Sequence, residues 1–214
     1  METPLDLSSK KVTDAKNIIF DLGGVLMDHN LEGCLRTFRQ FMPDEDIENV
    51  LGLGNNKPNT LRAKFETRSG DSPEWFIGEV LKHCRQGTTE RQVIDAWNII
   101  HAGITEDKWE TVRLFRQKGY RTYLLSNTDR IHWEHTLSLY GERIEQLFDA
   151  TFLSFNYWKA KPDPDIFKEV DRFIQADPKQ TYFVDDTESN RQAAEQNAGW
   201  NTCANIHELK ELLF

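Results

Sequence analysis

Short apolar runs punctuate the chain, and most of them end on a residue that can do chemistry. Ile18-Ile19-Phe20 runs into Asp21, the β-rich run Tyr120 to Ser126 into Asn127, and Thr181 to Val184 into the acidic pair Asp185-Asp186. Ala150 to Phe155 is a further run, with Lys161 a few residues beyond it. Brief apolar runs without polar alternation are the pattern of strands buried on both faces, as in parallel sheets. Between the runs, apolar residues recur at helical spacing. Trp109, Val112 and Phe115 form one face that stops near Gly119, and Asp163-Pro164 opens a helix carrying Ile166, Phe167, Val170, Phe173 and Ile174. Ser189 to Ala198 is helical and closes on Gly199. Asn201 to Asn205 reads as a last strand and Glu208 to Phe214 as a last short helix. Strands alternating with helices predict parallel pairing and a sheet covered on both faces.

From about Asp28 to about Gly103 the alternation stops, and the pattern is helical with no convincing strand. Leu31, Cys34, Leu35, Phe38 and Met42 share one face; Ile47, Val50 and Leu51 suggest a short second helix, closed by Gly52 and the loop Gly54 to Asn59. Leu61, Lys64 and Phe65 start a third. Ser72-Pro73-Glu74 supplies a cap residue followed by proline at the first helical position, with Phe76, Val80 and Cys84 behind it, and Val93, Ile94, Trp97 and Ile100 mark the next helix. Such a block cannot join a parallel sheet. The expected fold class is α/β, a Rossmann-like three-layer α/β/α core with a parallel sheet (15–28 and 104–214) and an inserted helical-bundle cap (29–103). Residues 1–14 form a polar lead-in.

The 214 residues are enough for one large domain with an insertion. A formal charge of -9 argues against a nucleic-acid surface, which needs clustered Lys and Arg. Negative charge does not exclude a small phosphorylated substrate, because a bound divalent cation inverts the local sign. No apolar run is long enough to span a bilayer. Cys34, Cys84 and Cys203 are too widely spaced to form a ligand pair and read as reduced, packed thiols of a cytoplasmic protein. A monomer or homodimer is expected.

In a parallel sheet the strand ends lie along one edge, so Asp21, Ser126-Asn127, Lys161 and Asp185-Asp186 would converge outside it. Two carboxylates from different strands are what an oxygen-preferring Mg²⁺ takes, with water and substrate phosphate completing its shell. A serine hydroxyl and a lysine ammonium can hold phosphate oxygens. An aspartate near the metal can also be a nucleophile, which suggests an aspartyl-phosphate intermediate. Each element has a plainer alternative. Asp21 could cap a turn, Ser126-Asn127 could begin one, Lys161 could be a solvated loop charge, and Asp185-Asp186 could cap the following helix.

The stretches Ile-Ile-Phe-Asp21-Leu-Gly23-Gly24-Val, Leu-Leu-Ser126-Asn127-Thr128, Lys161-Pro162-Asp163-Pro164 and Phe-Val-Asp185-Asp186 resemble, in order, the motifs of the haloacid dehalogenase superfamily of hydrolases. The resemblance spans the chain from Asn17 onward. The cap position is similar to that of the subgroup with a helical lid after the first motif. The segment Ser126 to His132 is similar to a branch containing bacterial sugar-1-phosphate phosphatases. This implies roles. Asp21 would be nucleophile and metal ligand, with the backbone carbonyl of Gly23 and Asp186 as further ligands to Mg²⁺ and Asp185 supporting the metal. Ser126 would hold the phosphoryl group with Asn127 assisting, and Lys161 would pair with both nucleophile and phosphate. Arg130 and His132 are candidate substrate contacts.

Two departures from the family pattern stand out. Where the family usually carries an acid–base Asp, two residues after the nucleophile, this chain has Gly23; His132, or a water held by Asp28, is the expected substitute. Trp158 stands three residues before Lys161, where relatives often have Gly, and implies an altered loop. The cap segment Arg62 to Gly70, with Glu66 and Arg68, is expected to face the substrate. The resemblance therefore implies a Mg²⁺-dependent phosphatase acting on a small phosphorylated metabolite, with sugar phosphates favoured. The alternatives are a 2-haloacid dehalogenase, in which Asp21 would attack carbon without a metal, and a feebly active regulatory protein that kept the fold.

Overall fold

A computed structural model of the chain describes residues 16–53, 59–67, 72–175 and 177–214. The lead-in 1–14, most of the loop Gly54 to Asn59, and the part of the cap segment from Arg68 to Gly70 lie outside them. The chain enters through strand β1 (Asn17–Phe20), passes β2 (Asp28–His29), and runs into a helical block of α1 (Leu31–Phe38), α2 (Asp44–Asp46), α3 (Leu61–Thr67), α4 (Pro73–Leu81) and α5 (Glu90–Asn98). It returns through β3 (His101–Gly103) to α6 (Glu106–Gln117), β4 (Arg121–Ser126), α7 (Arg130–Leu147), β5 (Ala150–Leu153), α8 (Ser154–Tyr157), α9 (Pro164–Ile174), β6 (Thr181–Val184), α10 (Glu188–Ala198), β7 (Asn201–Cys203) and α11 (Ile206–Leu213).

Five strands form one sheet in the order β5-β4-β1-β6-β7, and every pairing in it is parallel. β1 is central. All four of its residues are buried because neighbours cover it on both edges and helices on both faces. Successive side chains of a strand point to opposite faces. Ile18 and Phe20 accordingly pack with Trp109, Val112 and Phe115 of α6, Ile144 and Leu147 of α7, and Leu209 of α11. Ile19 points the other way, toward Ile166, Phe167 and Val170 of α9 and Ala193 and Ala194 of α10. The result is a Rossmann-like α/β/α sandwich, in which each such buried large apolar side chain contributes roughly 1.5–3 kcal/mol relative to exposure.

The helical block has an apolar cluster of its own, including Cys34, Phe38, Leu51, Phe65, Phe76, Val80, Val93 and Trp97, with the rings of Phe65 and Phe76 stacked at 4.5 Å. Its helices start where local chemistry lets them. Asn30 caps α1, Ser72 caps α4 with Pro73 next, and Thr89 with Gln92 makes a capping box on α5. Ile47–Leu51 is a single π turn that ends on Gly52.

Three elements differ from the sequence expectation. The span from Asp28 to Gly103 is not strand-free, since β2 and β3 pair antiparallel as a two-stranded ribbon where the chain leaves and re-enters the core. Strands of two and three polar residues offer no periodicity to read. The run from Ala150 breaks after Leu153, and Ser154–Tyr157 is a turn of helix. α7, with 18 residues, carried no clear apolar stripe, because Leu137 and Leu139 face solvent among its buried positions. Among the described residues, no helix is long and apolar enough to cross a membrane.

Candidate active site

In-register parallel pairing brings the strand tips together. Phe20 pairs with Leu124 on one side and Val184 on the other, so Asp21, Ser126 and Asp185-Asp186 leave the sheet at the same edge. Asp21, Ser126 and Asp186 line one cavity of about 500 Å³, whose walls also include Gly23, His29, Lys161 and Asn190, while Asp185 lies buried behind it.

Asp21 is buried, and its Oδ1 accepts a hydrogen bond from the Leu22 N–H at 2.7 Å and lies 2.9 Å from Lys161 Nζ. The same ammonium lies 2.6 Å from Asp185 Oδ2. Lys161 is therefore a cation clamped between two carboxylates. Its backbone is held by a reciprocal pair of bonds. The Asn127 side-chain amide donates to Lys161 O at 2.8 Å, and Lys161 N–H donates to Asn127 Oδ1 at 2.8 Å. The tip of β4 thereby fixes the lysine loop. Asp185 Oδ1 accepts from the Thr187 N–H at 2.9 Å and from Asn190 Nδ2 at 3.0 Å. With both oxygens engaged, Asp185 orients Lys161 and the turn, whereas Asp186 is exposed on the cavity wall. Gly24 makes that approach possible. Its φ is +77°, and a β-carbon there would overlap the Asp186 carboxylate.

Burial pushes the Asp21 carboxyl up to about 7; the Lys161 charge pulls it down and the Asp185 charge pushes it further up. Burial works against the Lys161 ammonium, but Asp21 and Asp185 outweigh it and hold its pKa above the ordinary lysine value. One lysine faces three carboxylates, and an oxygen from each of Asp21, Asp185 and Asp186 lies within 4.8 Å of the others. An all-oxygen, net-negative cluster with room for water fits a hard divalent cation such as Mg²⁺.

The helical block also contributes to the lining, with Arg62, Glu66 and Thr67 of α3 and Trp97 of α5, and Ile100 and His101 follow where the chain returns toward the core. Arg62 Nε is 3.9 Å from Glu66 Oε1, and burial raises the Glu66 carboxyl while Arg62 lowers it.

Ser126, Asn127 and Lys161, all expected at the site, line the cavity. His132 is buried, with Nδ1 2.9 Å from Asp129 Oδ2, Nε2 3.0 Å from the Trp97 carbonyl, and its ring stacked on Trp97 at 4.8 Å. Both ring nitrogens are occupied, which argues against it as the expected stand-in for a missing acid–base group. Asp28, the other expected substitute, is paired with Lys108 at 2.6 Å and is not part of the cavity wall. Arg130 is exposed over the Phe155 ring and is likewise outside the lining. Trp158 is 66% exposed and adopts φ +59°, the left-handed region that costs a non-glycine residue about 1–2 kcal/mol. Glycine, which the family resemblance leads one to expect here, would adopt that conformation without the cost. His29 and His101 reach the cavity without having been anticipated, because the ribbon that carries them left no mark in the pattern.

The model of the haloacid dehalogenase-like hydrolases matches residues 15–197. A D-ribitol-5-phosphate phosphatase of Bacteroides thetaiotaomicron is 27% identical over 180 residues, covering 82% of this chain and 84% of that protein. A haloacid dehalogenase family enzyme from the same organism, crystallised with magnesium and inorganic phosphate, is similar in structure with a TM-score of 0.78 at 30% identity, over 88% of this chain and 93% of that one. A Porphyromonas gingivalis protein described as a predicted hydrolase of the same kind matches with a TM-score of 0.80 at 30% identity, over 94% and 98%. With the matched span running from the first strand through the acidic pair, and strand-tip carboxylates gathered around a clamped lysine, the chain belongs to the haloacid dehalogenase-like hydrolase family.

Proposed function

We propose that the protein is a Mg²⁺-dependent phosphatase that hydrolyses a small sugar or alditol phosphate through an aspartyl-phosphate intermediate on Asp21. The observation that carries this reading is the Asp21–Lys161–Asp185 chain of contacts at 2.9 and 2.6 Å beside the open carboxylate of Asp186. Asp21, the backbone carbonyl of Gly23 and Asp186 would hold the ion, with Asp185 as support, and Mg²⁺ supplies neutralisation of the phosphate charge. Asp21 attacks phosphorus. Lys161 pulls the carboxyl toward its ionised form against burial and meets the incoming phosphoryl oxygens, Ser126 offers its hydroxyl to them, and Asn127 acts by holding the lysine loop. Phosphatase and alditol-phosphate chemistry are supported by the named Bacteroides relative, and two carboxylates beside Asp21 disfavour the metal-free dehalogenase alternative.

A panel of sugar and alditol phosphates assayed with Mg²⁺ tests the reading. Phosphate release from at least one, abolished by chelator, is expected; no release from any would overturn it. Glu66 and Arg62 would recognise the hydroxyls of the substrate from the part of the lining that α3 supplies. Glu66→Gln is accordingly expected to raise KM more than it lowers kcat, by roughly 10-fold for one charge-assisted hydrogen bond.

Metal binding has a readout that does not need turnover. Mg²⁺ at a hundred times its Kd stabilises the fold by about 2.7 kcal/mol, on the order of 5–10 °C in Tm. Asp186→Asn is expected to remove most of that shift in a thermal melt.

A further inference from the structure

When Asp21 takes a phosphoryl group from an alkyl phosphate, the departing oxygen needs a proton, and the water that later attacks must lose one. Most proton-carrying side chains on the cavity wall are committed. Lys161 is clamped between Asp21 and Asp185, and both nitrogens of His132 are bonded. His101 Nδ1 lies 3.4 Å from Thr136 Oγ1, with its ring packed on His132 at 4.3 Å. Glu66 is half-buried beside Arg62, whose Nε lies 3.9 Å from its Oε1.

His29 is different. It is exposed on the cavity wall, and its ring makes no hydrogen bond with any of the described residues. The imidazole lies over Gly23, two residues beyond Asp21. A β-carbon built on Gly23 would overlap the ring, with Nε2 the nearest atom and Cε1 the next. That nitrogen is as far from the β-carbon position as a carboxylate oxygen is from its own β-carbon. Gly23 has no side chain to offer, and the space a short acidic side chain would fill is occupied by the His29 ring.

We infer that His29 Nε2 is the proton-transfer group of the phosphatase reaction, standing in the space vacated by a side chain at Gly23. The inference rests on the phosphoryl-transfer reading of Asp21. In the first half-reaction an Asp21 oxygen bonds to phosphorus as the phosphorus–alkoxide bond breaks, and its electron pair takes the proton from the imidazolium of His29. In the second, water attacks the phosphorus and passes a proton to the neutral imidazole, the bond to Asp21 breaks, and the carboxylate is restored. One phosphoester and one water become one alcohol and one phosphate, and His29 is protonated again.

The test compares leaving groups. For His29→Gln, kcat/KM is measured on D-ribitol 5-phosphate, whose alkoxide needs a proton, and on 4-nitrophenyl phosphate, whose phenolate does not. Because kcat/KM reports only as far as alcohol release, the ratio of alkyl to aryl values is expected to fall by about 10²-fold or more. An unchanged ratio, whatever the absolute losses, would overturn the assignment, since misfolding or a disturbed cavity lowers both together. Placing a carboxylate at the same spot, with Gly23→Asp in a His29→Ala background, is expected to restore the ratio by about 10-fold. Failure of the underlying reading looks different, with the unsubstituted enzyme releasing phosphate from neither compound.

Discussion

Asp21→Asn is expected to lower kcat by on the order of 10⁴- to 10⁶-fold, the range seen when a covalent nucleophile is removed. The same change is expected to raise the Tm of the metal-free protein. The amide fills the same volume but cannot attack phosphorus, so burst-phase phosphate release should vanish. Stability moves the other way because the folded protein disfavours an ionised Asp21. Burial, with the Asp185 charge added, lifts its carboxyl from 3.8 to about 7 against the pull of Lys161. The folded state therefore holds that proton more tightly than the unfolded chain does. Below about 3.8 the group costs nothing, and the metal-free protein loses stability as pH rises from there to about 7. The asparagine variant lacks that loss. Thermal melts with chelator at pH 5 and pH 8 should show the variant's advantage growing with pH; a variant less stable at pH 8 would refute the account.

The second large effect is structural. Asp129→Ala is expected to cost roughly 3–5 kcal/mol, as when one partner of a buried ion pair is removed, on the order of 10 °C in Tm. Asp129 is fully buried and serves three donors. Its Oδ2 takes the Trp97 indole N–H at 3.0 Å and lies 2.9 Å from His132 Nδ1, while its Oδ1 takes the His132 backbone N–H at 3.0 Å. Trp97 belongs to α5 and His132 to α7, so the carboxylate ties the helical block to the core. The His132 contribution also has a pH sign. Burial opposes the imidazolium, but Asp129 outweighs it and leaves His132 above its ordinary value of 6.5. That part is fully present below about 6.5 and fades as pH climbs through the raised value. Chemical denaturation at pH 6 and pH 9 should find the gap between the two proteins narrower at pH 9.

The core and its strand-tip residues were legible because each apolar run ends on the residue it delivers, and parallel pairing does the rest. Asp21 and Asp185-Asp186 are more than 160 positions apart, yet the register of β1 with β6 sets them side by side. What stayed hidden is what depends on contacts no local pattern records. The role of His132 is set by Trp97 and Asp129, and Arg130, two residues earlier at the start of the same helix, faces solvent. His29 was missed for a plainer reason, since a two-residue strand of Asp and His has no apolar alternation, and only its paired neighbour reveals that it is a strand.

The β2–β3 ribbon has a dynamic corollary. Both chain crossings between sheet and helical block run side by side there, so a tilt of the block must pivot about those few residues. His29 is one rail of that pivot. Rocking the block down over a substrate would swing the imidazole with it, and proton delivery would then be timed by closure, which would leave an open, water-filled pocket poorly armed for wasteful turnover.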